Sequence, residues 1–502
     1  MSTILPSIEP LAPSSETGTV PARRLSSLLL ALTAAASLVA WWAGPAIGKW
    51  AFDYPRAWQI PAARHIGGWM KWLVNEASFG LFSFTDFTRF LAALIDIPYT
   101  LALSLLSTGF LSGQGSAAVQ IVPPLSFLGV IALVGLMGYH AGGRRLSALM
   151  VFCFGFLAVF GQWTSAMVTL ASILVAVPIG VAFGLLLGLL AYRLPLFERA
   201  ITPLLDLMQT IPIFAYLVPI LFFFGFGPTA AIVGTLIYAM PPMVRSTVVG
   251  LRAVPSEIRD LGHMGGCSRR QMTWKVMVPS ASDALMVGVN QVIMLSLNMV
   301  IIASMIGAGG LGFDVLAALR RLDIGAGLQA GFAIVALAVA LDRVSQAYAK
   351  KAGTSAPAGL SGNILQRHPY LIASVGMIGI GLVASLLSPQ LAAYPEALTL
   401  STGTFWNEVV KWINVNFFDV LEAVRTTILI HLLVPLKRFL GELPWIGVVV
   451  MLALAGYRLG GLRLALMCGA LSFLIAATGQ WEKAMVTVYL CGIAVVIASL
   501  IG

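Results

Sequence analysis

Charge is what this chain most conspicuously lacks. Of its 502 residues, 30 are Lys or Arg and 20 are Asp or Glu, 10% in all, against about 25% in an ordinary soluble domain. Hydrophobic residues make up 59% and the mean hydropathy is +0.93, which excludes a soluble globular fold with a charged shell. Cysteine is scarce as well: Cys153, Cys267, Cys468 and Cys491 are scattered, and all but Cys267 fall inside apolar runs. Neither a disulfide framework nor a metal cluster is expected, and the cysteines read as small packed side chains. The five histidines form no H-E-x-x-H and no Ser/His/Asp set, so a membrane enzyme has no visible machinery. There is no G-x-x-x-x-G-K-[ST] phosphate loop either, so the chain holds no ATP or other cofactor in the usual way. The GAGGLG run at Gly307 to Gly312 follows a hydrophobic stretch rather than a strand and reads as a turn where helices approach closely.

What the chain has instead is a series of long apolar runs. A spanning helix needs about 20 such residues, and candidates lie near 26–47, 124–140, 146–162, 166–192, 203–226, 229–250, 281–305 and 327–347. A second set lies near 369–389, 445–457, 464–478 and 484–501. The runs do not alternate polar with apolar residues, which argues against a membrane barrel. The expected class is therefore all-α, polytopic and embedded in the lipid bilayer. The net charge of +10 is dispersed among short loops, which points to the positive-inside rule rather than to nucleic acid. Placing Arg23, Arg24, the GGRR turn at Gly142 to Arg145, Arg193, Arg199, the loop after Val254 and Arg343 to Arg367 on one side gives a consistent alternation with a cytoplasmic N-terminus. Arg320 and Arg321 break the rule. The alternation closes only if residues 50–123 cross an even number of times, and this amphipathic stretch is expected at the interface, anchored by Trp41, Trp42, Trp50, Trp58, Trp69 and Trp72. Residues 1–25 read as a disordered tail with no cleavable signal.

The chain also repeats itself. GQWTSAMVT beginning at Gly161 returns as GQWEKAMVT beginning at Gly479, and the same offset carries Gly129 to Gly447, GYHAGGRR at Gly138 to GYRLGGLR at Gly456, and Gly184 to Gly502. Greasy helices resemble one another in hydropathy, but not in Gly-Gln-Trp and Gly-Tyr-x-x-Gly-Gly held in one register. The reading is a tandem duplication: a first span with an interfacial region at 26–123, a complete unit over 124–349, a cytoplasmic linker at 350–368 and a partial second copy over 369–502 that repeats about 26–184. Nothing in the second copy corresponds to the segment after Val254.

That segment, VPSEIRDLGHMGGCSRRQMTWKVMVP, is the longest polar interruption. Pro255 and Glu257 suit a helix start, where a proline is tolerated and an acidic side chain meets the positive end of the dipole. Gly265 and Gly266 allow a reversal, and Ser268 can cap a second helix running through Arg269, Arg270, Met272 and Lys275 to Pro279. A helix, a glycine turn and a helix make a knob suited to a groove on a soluble partner.

The knob resembles the cytoplasmic signature of ABC importer permeases, in which an acidic residue, two small residues, a glycine and a closing apolar-x-apolar-Pro form the helix that contacts the ATPase. Here these are Asp260, Gly266 and Val276 to Pro279; Leu261 and Gly262 stand where alanine-like residues are usual. PLLDLMQTIPIFAYLVPILFFFGFG from Pro203, YAMPPMVRSTVVGLRAVP from Tyr238 and GVNQVIMLSLNMVIIASMIGAGGLG from Gly288 are similar to the glycine betaine/proline branch of these permeases, over about residues 80–350. The resemblance implies a type I-like transmembrane domain in a bacterial inner membrane, and a chain that forms the pathway for compatible solutes such as glycine betaine, choline, carnitine or trimethylamine N-oxide. It further implies a separate cytoplasmic ATPase that binds ATP and magnesium, a periplasmic solute-binding protein, and Glu257, Asp260, Gly262, Gly266, Arg269, Arg270 and Pro279 at the ATPase contact. Two ATPases need two knobs, so a second permease unit is expected, either another chain or a C-terminal remainder of the second copy. An ion-coupled transporter or osmotic channel is the competing reading, but it leaves the knob without a purpose.

Polar groups inside apolar spans usually face a bundle interior or a pathway. Gln209, Asn290 and Gln291 are candidates to line the solute path, with Pro212, Pro241 and Pro242 as gates and Tyr216 as an aromatic face for a quaternary ammonium. The plainer alternatives are interhelical hydrogen bonds, kinks and lipid contact.

Overall fold

Lipid offers the backbone no hydrogen-bond partners, so a chain this apolar must satisfy its own amides within helices. The computed structural model describes residues 20–42, 50, 52, 54–78, 80, 82–113, 119–354, 369–388, 391–392 and 394–502. Residues 1–19 of the tail expected over 1–25 and residues 355–368 of the expected linker lie outside the described residues, whereas residues 20–25 and 350–354 are helical, continuing the neighbouring apolar helices. In chain order the helices are α1 (Val20–Trp42), α2 (Ala62–Asn75) and α3 (Phe84–Leu103), the last continued by a π turn over Ser104–Thr108. A small hairpin of β1 (Phe110–Ser112) and β2 (Val119–Val122) leads to α4 (Phe127–Val159), α5 (Trp163–Arg193), α6 (Pro195–Thr210), α7 (Ile213–Phe224) and α8 (Pro228–Arg252). Then come α9 (Ser256–Met264), α10 (Arg269–Gln271), a π turn over Met272–Met277, α11 (Val278–Ser280), α12 (Ser282–Ala303), α13 (Leu311–Arg321) and α14 (Ile324–Thr354). The remainder is α15 (Pro369–Leu387), α16 (Gly403–Asn416), α17 (Phe418–Ile428), α18 (Val434–Gly441), α19 (Trp445–Ala477) and α20 (Trp481–Ile501). Among the described residues, eight helices are long and apolar enough to cross a membrane, or nine if α6 and α7 are one bent span.

The runs near 124–140 and 146–162 are two arms of one hairpin inside α4. In a straight helix Gly135 and Ser147 would stand about 18 Å apart, at roughly 1.5 Å per residue. Instead the Ser147 hydroxyl donates to the Gly135 carbonyl at 2.8 Å. The reversal falls at Gly142 and Gly143, where Gly143 has φ 74° and ψ −161°, a conformation that only glycine takes readily. Gly460 and Gly461 break α19 in the same way, with Gly461 at φ 72° and ψ −164°. The sequence also predicts one span over 203–226, and here the structure differs: α6 and α7 meet at 104°. Pro212 is the cause, since it has no N–H to continue the ladder and disfavours the helical region for Ile211, which is extended at ψ 131°.

Contacts divide the chain into two units, Lys71–Val415 and a smaller one made of residues up to Met70 together with Asn416–Gly502. In the larger unit α8 packs between α5 and α12 through small residues. A Cβ on Gly188 would lie 2.5 Å from Thr247 Cβ, one on Gly184 2.6 Å from Met243 Cβ, and one on Gly250 2.7 Å from Ala284 Cβ. Apolar side chains gain nothing by leaving lipid for one another, so close backbone approach and dispersion hold such helices together. Helix α3 is long and apolar enough to span, and contacts fix it at both ends. Phe84 meets Phe223, beside Gly225, at 5.1 Å between ring centroids. At the other end Leu125 N–H donates to the Leu105 carbonyl at 2.8 Å, next to the Phe127 and Trp163 rings, 6.4 Å apart.

The segment from α15 to α16 also belongs to this unit. Tyr370 packs against His140 with ring centroids 4.1 Å apart and a 44° tilt, and Asn407 bridges the start of α14, accepting from Gly325 N–H at 2.7 Å and donating to Asp323 at 3.0 Å. The Ala326 N–H and the Asn407 amide hold the Asp323 carboxyl below its usual pKa. A lowered carboxylate favours the folded state above its ordinary pKa and loses that contribution as pH falls through the lowered value. In the smaller unit α1 packs on α19, Trp41 donates to Glu442 at 3.2 Å, and the Trp445 indole donates to the Trp50 carbonyl at 3.1 Å. Trp42, Trp58, Trp69 and Trp72 are exposed.

Candidate functional site

The segment after Val254 folds as one module on the end of α8. Helix α9 starts at Ser256 after Pro255, ends at Gly265 and reverses at Gly266, whose φ is 71°. Ser268 caps α10 reciprocally with Gln271: the Gln271 N–H donates to the Ser268 hydroxyl at 3.3 Å, and the Ser268 N–H donates to the Gln271 side chain at 2.8 Å. Gly262 is buried where α9 meets the π turn, and a Cβ there would stand 2.7 Å from Met272 Cε. The small residue is thus a packing requirement. Glu257, Asp260, Arg269 and Arg270 are exposed, and Pro279 sits in α11.

Two exposed apolar side chains on α9 sharpen this picture. Leu261 is 67% exposed and Met264 82%, so the residue that departs from the alanine-like pattern presents a hydrophobic tip.

What makes the knob rigid was hidden in the sequence. The Arg259 guanidinium donates to the carbonyls of Leu251 at 3.2 Å, Val254 at 3.1 Å and Arg252 at 3.4 Å, closing the C-terminal end of α8. Arg193 at the end of α5 donates to Thr273. Helix α6 is stapled to α8 by Arg245 to Asp206 and Arg252 to Glu198, each at 2.5 Å. One signal was available: Glu198 and Asp206 lie two turns apart on α6, as do Arg245 and Arg252 on α8, in the reversed order that antiparallel helices need. We expect Arg259→Ala to free the knob, since charge-assisted hydrogen bonds contribute about 1.5–3 kcal/mol each. Faster proteolysis within residues 254–279, with the spans still protected, is the measurement; unchanged protection would refute the role.

The candidate pathway residues are less unified. Gln209 is half-buried in the last turn of α6 and Pro212 forms the break before α7. Tyr216 is half-buried, its hydroxyl without a hydrogen-bond partner among the described residues. Pro241 and Pro242 are buried inside α8. Asn290 turns to α14, where Ser345 donates to it at 2.8 Å, whereas the neighbouring Gln291 is exposed. Asn290→Ala should therefore cost stability, about 1 kcal/mol, while Gln291→Ala leaves stability unchanged. Thermal unfolding in detergent separates the two, and equal shifts would contradict the assignment. The Gly307 to Gly312 run is a close turn: Gly307, Gly309 and Gly310 all have positive φ, and Leu311 N–H donates to Thr169 at 3.0 Å.

The larger unit is thus a helical membrane bundle with a broken span and a polar helix–turn–helix knob on the end of α8. Residues 180–353 match the family described as binding-protein-dependent transport system inner membrane component. The glycine betaine transport system permease protein of Bacillus subtilis is 38% identical over 241 residues, 47% of this chain and 86% of that protein, and the chain belongs to this family. The trimethylamine N-oxide transport system permease protein of Pelagibacter ubique is 37% identical over 391 residues, 76% of this chain and 54% of that protein. The glycine betaine/proline betaine transport system permease protein of Escherichia coli is 42% identical over 217 residues, 43% of this chain and 61% of that protein. The chain spans about half the length of the trimethylamine N-oxide relatives it matches.

Proposed function

We propose that this chain is the permease subunit of an ATP-driven importer for small methylated amines of the glycine betaine and trimethylamine N-oxide type. The single observation that carries the mechanism is the knob, a rigid helix–turn–helix fixed to α8 by Arg259 and to α5 by Arg193. A push on α9 must move the spans with it. Closure of two cytoplasmic ATPase subunits, which bind ATP and magnesium, is transmitted through Asp260, Leu261 and Met264 and switches the pathway between inward and outward access. Such switching needs solute and nucleotide to bind the two states differently.

The N-terminus is assigned to the cytoplasm, because the Gly142 turn, Arg193 and the knob then share one face with most of the basic residues. A periplasmic binding protein delivers the solute. The Gln209–Pro212 break and exposed Gln291 are the pathway positions of choice, and Asn290 is assigned to structure. The parallel breaks at Gly143 and Gly461 support a tandem duplication, and the second knob comes from a further permease unit. The test is ATP hydrolysis by the reconstituted complex with glycine betaine, trimethylamine N-oxide, carnitine and choline in turn. Stimulation by one or more is expected; uptake persisting without ATP hydrolysis would overturn the reading.

A further inference from the structure

The same small joint is built twice, once in each unit. In the smaller unit, Tyr54-Pro55 leads into a 3-10 turn over Arg56–Trp58; in the larger, Tyr394-Pro395 leads into one over Glu396–Leu398. Each turn is closed by a hydrogen bond to the proline carbonyl at 3.0 Å. The Tyr54 ring stands edge-on to Trp445 at 5.1 Å and 71°, and Tyr394 stands edge-on to Phe127 at 5.3 Å and 77°. Ile60 N–H donates to the Ala477 carbonyl at 2.8 Å, and Leu400 N–H donates to the Val159 carbonyl at 2.8 Å. Beyond them, Gly479 faces Gln59 and Gly161 faces Thr399, with φ of 71° and 67°. A 14-residue helix follows in each case, α2 and α16.

The receiving residues, Phe127, Val159 and Gly161 against Trp445, Ala477 and Gly479, are related by the offset of the sequence repeat. The donating residues, Tyr54, Gln59 and Ile60 against Tyr394, Thr399 and Leu400, share an offset of their own. Yet the arm before the first body is not seated on that body. It lies in the unit with the second body, and the arm after the linker lies in the unit with the first.

We infer that the two copies exchange arms: residues 54–60 clasp the second copy's body at Ala477 to Gly479, and residues 394–400 clasp the first copy's body at Val159 to Gly161. This rests on the duplication proposed above. The chemistry of the clasp is that of a helix end. Val159 and Ala477 close α4 and α19, so their carbonyls have no partner within the helix, and the exchanged arm supplies the N–H that satisfies each. An unsatisfied group there would cost about 1–3 kcal/mol. Among the described residues each of these helix ends is thus capped by the other copy's arm.

Paired cysteines in a cysteine-free full-length chain, with a protease site placed within 355–368, test this. Gln59→Cys with Glu482→Cys, and separately Thr399→Cys with Thr164→Cys, should be joined by a short bismaleimide. The product should run at single-chain mass before cleavage and hold both fragments together after it. The same-copy pairs, Gln59→Cys with Thr164→Cys and Thr399→Cys with Glu482→Cys, each lie on one fragment and should give no cross-linked peptide within that fragment by mass spectrometry. Linking of the same-copy pairs instead, or of no pair, would overturn the exchange, and a product of twice the mass would assign it to separate chains and overturn it within this one. Loss of amine-stimulated ATP hydrolysis with the links intact would count against the transport reading alone.

Discussion

Transport and solute-stimulated ATP hydrolysis are expected to fall about 100-fold in the double variant Asp260→Lys, Gly266→Val, with the amount of protein in the membrane unchanged. Gly266 has φ 71° and nothing within 4 Å of a Cβ, so backbone strain rather than crowding is what valine introduces there. A β-branched residue in that region costs on the order of 1–3 kcal/mol, and the chain relieves it by opening the turn between α9 and α10. Lysine at 260 then reverses the exposed charge on the surface proposed to meet the ATPase. Together, roughly 3 kcal/mol of lost coupling corresponds to about 100-fold. Gly266→Asn is the control, because asparagine tolerates the left-handed region, and it should retain most of the activity. Uptake by the double variant at the parental rate would remove the knob from the mechanism.

Gly188→Leu is expected to abolish the folded protein rather than its coupling. A Cβ at this position would stand 2.5 Å from Thr247 Cβ and 2.9 Å from the Val244 carbonyl oxygen, so α5 and α8 must separate along their crossing. Thr247 and Val244 are buried, and neighbours at Gly184 and Gly250 are equally tight, so the strain cannot be absorbed locally. Overpacking typically costs about 1–3 kcal/mol and more where backbone must shift. Gly155→Leu, on the same bundle but with nothing within 4 Å of a Cβ, should be harmless. Monodisperse recovery in detergent compares them, and equal recovery would show that the α5–α8 crossing is not held by close approach.

Much of this architecture was legible from residues alone. Apolar runs locate helices because the bilayer leaves the backbone no other partner, and Gly265, Gly266 and Ser268 announce a reversal and a cap that the structure contains. The bend at Pro212 was partly legible: the residue was singled out, but whether a proline kinks a span or breaks it depends on what packs beside it. Arg259 was not legible, because a basic residue in a polar loop looks the same whether it is solvated or bound to three carbonyls. Asn290 and Gln291 are adjacent in an apolar run, and only the position of Ser345 on α14 separates a structural amide from an exposed one.

The sequence by itself determined the class of the protein, the place of the knob and the repeat, since these follow from composition, helix chemistry and register, all local properties of the chain. Tertiary structure alone decided which arm meets which body, which glycines are held by contact, and how the knob is fixed to the spans. Those outcomes depend on groups far apart in sequence, whose approach is set by shape and by unsatisfied helix ends, and no local pattern records them.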